Sequence, residues 1–136
     1  MTDINVGAIS EALNDKTDRD MRNVDNTAGA DAVVEFQLPT AENSYTWYRK
    51  YASGWVEQGG IWPHPNPGTY YNSVTITLPV VMANANYSVV LSNTGTNTTA
   101  YAKTVSSKTT TEFVCTSGGD VSKYNGFDWQ VSGMAA

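Results

Sequence analysis

After residue 27, apolar side chains recur at every second position, and this period limits the fold more than any other feature. Successive strand side chains point to opposite faces, so period two marks a strand with one apolar face. Val34, Phe36 and Leu38 alternate with Glu35 and Gln37, and Pro39 closes the run. Val74, Ile76 and Leu78 alternate with Thr75 and Thr77 before Pro79. Tyr87, Val89 and Leu91 alternate with Ser88, Val90 and Ser92. Tyr101, Lys103 and Val105 share one side of the next run, which Ser106-Ser107-Lys108 follows as a short connection. Phe113 and Cys115 share a face, as do Phe127, Trp129 and Val131. With one hairpin, this predicts a mainly β chain of about eight strands, an antiparallel sandwich or barrel.

That hairpin is Tyr45 to Gly60. It holds two of the four Trp and three of the eight Tyr. Tyr45, Trp47, Arg49 and Tyr51 alternate with Thr46, Tyr48 and Lys50. Ser53-Gly54 is a turn signal, because glycine accepts the positive φ of a tight turn. Trp55 to Gln58 forms the return strand, and Gly59-Gly60 is expected to end it. Such a density of rings serves a core, an interface or a ligand platform.

Residues 1–27 read differently. They carry no aromatic, and Val6, Ile9 and Leu13 are spaced by three and four, as on a helix. The stripe then meets Lys16, Asp20 and Asn23, so it lasts about two turns. A helix this short is marginal in water and needs a partner. It is either a short parallel bundle with copies of itself or a surface helix laid on the next domain. Asn26 to Ala30 is a small, polar linker. The expected organisation is a helical, coiled-coil-like stalk at 1–27 and a β-sandwich at 28–136.

Composition removes several functions. The 136 residues carry 13 acidic and 8 basic side chains, for a net charge of −5. A nucleic-acid partner would require a basic footprint. No apolar run reaches the length of about 18 residues that a membrane-spanning helix needs. The start of the chain lacks the basic and apolar regions of a secretory signal. A lone cysteine, Cys115, excludes an internal disulfide and reads as a small buried residue beside Phe113. The single histidine, His64, lies between Pro63 and Pro65, and no other ligands cluster near it, so no metal site is expected. Glu35, Glu57, Glu112, Asp120 and Asp128 form no motif of paired carboxylates, so the chain is not read as a glycosidase.

Binding is the remaining chemistry. Sugars pack an apolar face on an aromatic ring while planar polar groups take their hydroxyls. Three loops offer this mixture: one with Trp62, His64, Tyr70 and Tyr71; one with Asn93 and Asn97, leading into Tyr101; and one with Lys123 and Tyr124. Loops at a sandwich end carry function more often than the strands beneath them. For any one of these rings, anchoring a loop to the core is the competing role.

Two stretches add a resemblance. Asp31 to Asn43, run into Tyr45 to Tyr51 and Gly54 to Gly60, resembles the C-terminal knob domains of tailed-phage tail fibres. Asn125 to Gly133 is similar to the end of those fibres, and Ala12 to Met21 to the stalk before the knob. The resemblance implies a homotrimer of β-sandwich knobs about a three-fold axis, at the distal end of a fibre on the virion. It implies a tip that adsorbs to a bacterial surface glycan or outer-membrane protein, without catalysis, cofactor or membrane insertion. The iron-binding His-x-His of some fibre tips is absent, which removes metal from the expectation. Fibres are usually much longer than this chain, which leaves open that it is a C-terminal piece of one. Because the resemblance is carried by the hairpin, Trp47, Arg49 and Trp55 become architecture, as do Trp129 and the stalk residues Val6, Ile9 and Leu13. Arg49 is expected to pair with an acidic group, within the chain or across the trimer. The rival readings are a purely structural trimerisation or capping module and, less well supported, a surface-polysaccharide hydrolase.

Overall fold

A computed structural model of the chain describes residues 29–65, 71–95, 103–117 and 126–136. The stalk expectation, with Val6, Ile9 and Leu13, lies outside these residues. A single 3-10 turn, Gly29–Asp31, leads into eight strands. They are β1 (Val33–Gln37), β2 (Trp47–Tyr51), β3 (Trp55–Trp62), β4 (Ser73–Thr77), β5 (Ser88–Thr94), β6 (Lys103–Lys108), β7 (Glu112–Ser117) and β8 (Gly126–Met134). Five form one sheet in the order β1-β2-β3-β8-β5, and three form a second in the order β4-β7-β6. Every pairing is antiparallel.

The core lies between the two sheets. Val56, Phe127, Trp129 and Val131 face Val74, Ile76, Phe113 and Cys115 from the second sheet, all of them buried. Phe113 meets Trp129 edge to face, with ring centroids 5.8 Å apart. This geometry suits the quadrupoles of two aromatic rings.

Gly59-Gly60 does not end the return strand, which continues to Trp62. Each glycine lies under an indole. A Cβ on Gly59 would stand 2.8 Å from the ring of Trp47, and one on Gly60 2.9 Å from the ring of Trp129. Their lack of a side chain makes room for rings on opposite faces of one strand. Tyr45 falls in the turn before β2 rather than in the strand, at φ 57°. Likewise Ser106-Ser107-Lys108 continues β6, and a bulge between Val105 and Ser107 absorbs the irregular alternation.

One buried polar side chain ties the connection after β4 to the sheet. Gln58 is fully buried; its Nε2 donates to Val80 O at 3.0 Å, and Val80 N–H donates to its Oε1 at 2.9 Å. The amide acts as a stand-in for a neighbouring strand. Replacing Gln58 with Leu leaves both Val80 backbone groups without this partner. It is expected to cost about 2–4 kcal/mol by chemical denaturation, since each buried orphan costs roughly 1–3 kcal/mol. A loss below about 0.5 kcal/mol would contradict the assigned role. Cys115 is fully inaccessible, and burial pushes its thiol above the usual range. In native buffer an aromatic disulfide reagent is therefore expected to label Cys115 only as fast as the protein unfolds. Immediate labelling would show the core to be open.

Candidate functional site

The two ends of the sandwich differ. At one end lie the Ser53-Gly54 turn, Thr109–Thr111 and the final residues. Ser53 N–H donates to Ala30 O at 3.2 Å, Ala135 N–H to Gly54 O at 2.8 Å, and Met82 N–H to Thr110 O at 2.8 Å. The chain leaving residue 29 therefore joins the sandwich at this end. At the other end β3 stops at Trp62 beside Phe127, and β5 stops at Thr94 beside Gly126. There too Ser73 pairs with Thr116, and Lys103 with Ser117. All three segments that the sequence marks as binding loops thus leave and rejoin the sheets at the end away from residue 29.

The described residues at that end form an aromatic cluster. Trp62 stacks on Phe127 at 5.3 Å and meets Tyr71 and His64 edge-on at 5.3 and 5.5 Å. His64 and Tyr71 meet at 5.3 Å. Three of the sequence-predicted binding residues, Trp62, His64 and Tyr71, are thereby brought together. All three are half-buried, so they anchor the base of the loop while staying partly open to solvent. Beside them the Lys103 ammonium donates to Asn93 Oδ1 and lies 5.7 Å from the centre of the Phe127 ring. Burial pushes Lys103 below the usual lysine range. Asn93 is exposed. Tyr70, Asn97, Tyr101, Lys123 and Tyr124 lie outside the described residues. Lys103 is a member of this cluster that sequence reading used only to mark a strand face. Its signal was position, on the same strand face as Tyr101 and two residues beyond it.

The hairpin residues take separate places. Trp129 is in the core at 4% exposure, Trp47 is half-buried, and Trp55 is 41% exposed. Arg49 pairs with Glu57 of the same chain, Nη2 to Oε2 at 3.1 Å, and its guanidinium lies 5.7 Å from the Trp47 ring centre. These groups stand on the face of the five-stranded sheet that points away from the core. That face also holds two adjoining hollows of about 380 and 400 Å³, both bordered by Pro39 and Trp47. Sequence reading found these rings but not the hollows, because the register that joins Pro39 and Tyr45 to Ile61 and Asp128 is set only by folding. Among the described residues, no group of three or more His, Cys, Asp and Glu is placed to hold a metal ion. Among them, too, no helix is long and apolar enough to cross a membrane.

Tyr51 OH donates to Glu57 Oε2 at 3.0 Å, and this hydrogen bond is the main cause that pushes the phenol above its usual range. A phenol raised in the folded state supports the fold below its unfolded pKa and loses that support as pH rises through the folded one. In a carbon-detected NMR titration, Glu57→Gln is expected to move the Tyr51 ionisation down toward the ordinary value of about 10. An unmoved midpoint would remove Glu57 as the cause.

No protein-family model matches the chain, and no curated protein sequence does. Solved structures do match in fold. An N-truncated R2-type pyocin tail fibre aligns over 83% of this chain and 42% of its own, with a TM-score of 0.51 and 16% identity. A C-terminal fragment of the R2 pyocin fibre of P. aeruginosa aligns over 83% of this chain and 29% of its own, at 0.51 and 16%. An N-truncated R1-type pyocin tail fibre aligns over 83% of this chain and 95% of its own, at 0.51 and 18%. The chain thus spans well under half of the first two fibres. At such identities the likeness is one of fold alone.

Proposed function

We propose that the chain is the receptor-adsorbing tip of a phage or phage-like tail fibre, working as a homotrimer on a bacterial surface saccharide. The observation that carries this reading is polarity of placement. The three segments read from the sequence as binding loops leave and rejoin the sheets at the end opposite residue 29. The chain before residue 29 would run back along the fibre, and the opposite end would meet the cell. The fold shared with pyocin fibres supports the same reading. Trp62, His64 and Tyr71 supply a rigid aromatic base, and Asn93 and Lys103 supply polar groups beside it. Tyr70, Asn97, Tyr101, Lys123 and Tyr124 belong to the segments that spring from this base and complete the site. Rings set among amides suit a pyranose, whose apolar face stacks while its hydroxyls are bonded. The site acts by binding, without catalysis, metal or cofactor. Three weak sites on one tip would grip a crowded surface through avidity, which exceeds single-site affinity by roughly 10²–10⁴-fold when geometry allows.

The test is binding of the full chain to an array of lipopolysaccharides and capsular glycans. At least one glycan is expected to bind. Changing Tyr70, Lys123 and Tyr124 together to Ala should weaken it more than tenfold without moving the melting temperature. Trp55→Ala, at the end near residue 29, should leave binding unchanged. Binding that survives the triple change, or is lost with Trp55, would move the site elsewhere. Absence of binding to every glycan and to whole bacterial cells would overturn the adsorption reading.

A further inference from the structure

The strands β1 and β2 carry their polarity inside out. Cross-strand partners share a face, so the registers assign each side chain. Tyr48 stands opposite Gln58 and Lys50 opposite Val56, which puts Tyr48 and Lys50 on the core side. Glu35 opposite Lys50 and Gln37 opposite Tyr48 join them there. This inward side is therefore polar, and its groups bond to one another. Tyr48 OH donates to Glu35 Oε1 at 2.8 Å, and Gln37 Nε2 to Thr46 O at 2.8 Å. Phe36 stands opposite Arg49 on the other side, the one facing away from the chain's own core. The apolar residues of this wing are thus turned outward.

They join further exposed apolar residues on the outward side of the five-stranded sheet, where β8 contributes the polar Asp128 and Gln130 between them. Phe36 is 62% exposed, Leu38 67%, Tyr45 50% and Val90 63%. Trp47 lies flat over Gly59 between them. Scaled by ordinary side-chain areas, these exposures with Ile61 leave on the order of 600 Å² of apolar surface, the upper end for a lone domain. A standard interface buries roughly 800 Å² per partner, so the area suits a macromolecular contact. The edge adds to it. Among the described residues, β1 is the outermost strand of its sheet and no strand lies beside its outer edge.

We propose that this outward face, from β1 across to Val90 of β5, is the surface on which a second copy of the chain packs. The assignment rests on the homotrimer proposed above and specifies which surface closes it. Two features favour a copy of the chain over a sugar. Arg49 and Tyr51 both bond Glu57 within the chain, so a copy packed here meets that pair already matched. The face flanks the sandwich along its strands and leaves the end bearing Trp62 uncovered.

Sedimentation of the full chain at micromolar concentration tests the assignment. Wild type is expected at three times the chain mass. The double variant Phe36→Lys, Val90→Glu should sediment as a monomer with an unchanged near-ultraviolet dichroism spectrum. Both residues are mostly exposed in the single chain, so the fold itself has little to lose. Val81→Glu, an exposed apolar position near residue Thr110, should remain trimeric. If wild type is monomeric, the homotrimer and this assignment both fall. If wild type and the double variant are both trimeric, the trimer stands and this face is wrong. Hydroxyl-radical footprinting of wild type decides the matter should the variant misfold: Phe36, Leu38 and Val90 should be protected relative to Val81, and equal labelling would overturn the proposal.

Discussion

Two indoles set against two adjacent glycines hold this domain in register. Gly59 and Gly60 follow one another in the central strand β3, so the space above each opens on opposite faces of the sheet. Trp47 fills the outer space and Trp129 the inner one. The inner ring then reaches Phe113 and fixes the second sheet at its working distance. The outer ring builds the floor of the groove between Pro39 and Val90. Adding a Cβ at either glycine would push against ring atoms under 3.0 Å away, and at Gly59 also against the carbonyl of Trp129 at 2.7 Å. The inner ring has little room to retreat, because it is packed in the core.

From that constraint the surfaces divide. The side facing the second sheet is buried at β3 and β8, with Gln58 supplying the hydrogen bonds that a missing strand would give. The outward side is apolar where it meets β1 and β2. At the end away from residue 29, Trp62, His64, Tyr71 and Phe127 pack together where β3 passes into its connection to β4. A rigid sandwich bearing variable connections at one end is a common arrangement for recognition, since the scaffold bears the ordering cost in advance.

Much of this was legible in the sequence. Val74, Ile76 and Leu78 read as one buried face and are one, because strict alternation with Thr has a single satisfying arrangement. Cys115 beside Phe113 followed from the same period. Pro39 marked the end of β1 correctly, since proline cannot extend a ladder. The glycine pair misled, because a glycine's usual meaning as a terminator cannot be told from its meaning as a seat for a distant ring. Val34, Phe36 and Leu38 also looked like core. Period two shows that a strand has an apolar face but not which way that face turns, and here it turns from the chain's own core. The Arg49 partner was legible as a need, and its identity as Glu57 depended on the β2–β3 register. The expected stalk at 1–27 and five of the expected binding residues lie outside the described residues.

The account turns on one end of the sandwich meeting a cell while its flank does other work. Hydrogen exchange of the full chain, free and then bound to bacterial envelopes that it adsorbs to, would test this most directly. The account predicts new protection at backbone amides of Trp62, His64, Tyr71 and Asn93, with none at Gly54 or Thr110. New protection at Gly54 and Thr110, with the Trp62 end unchanged, would contradict it.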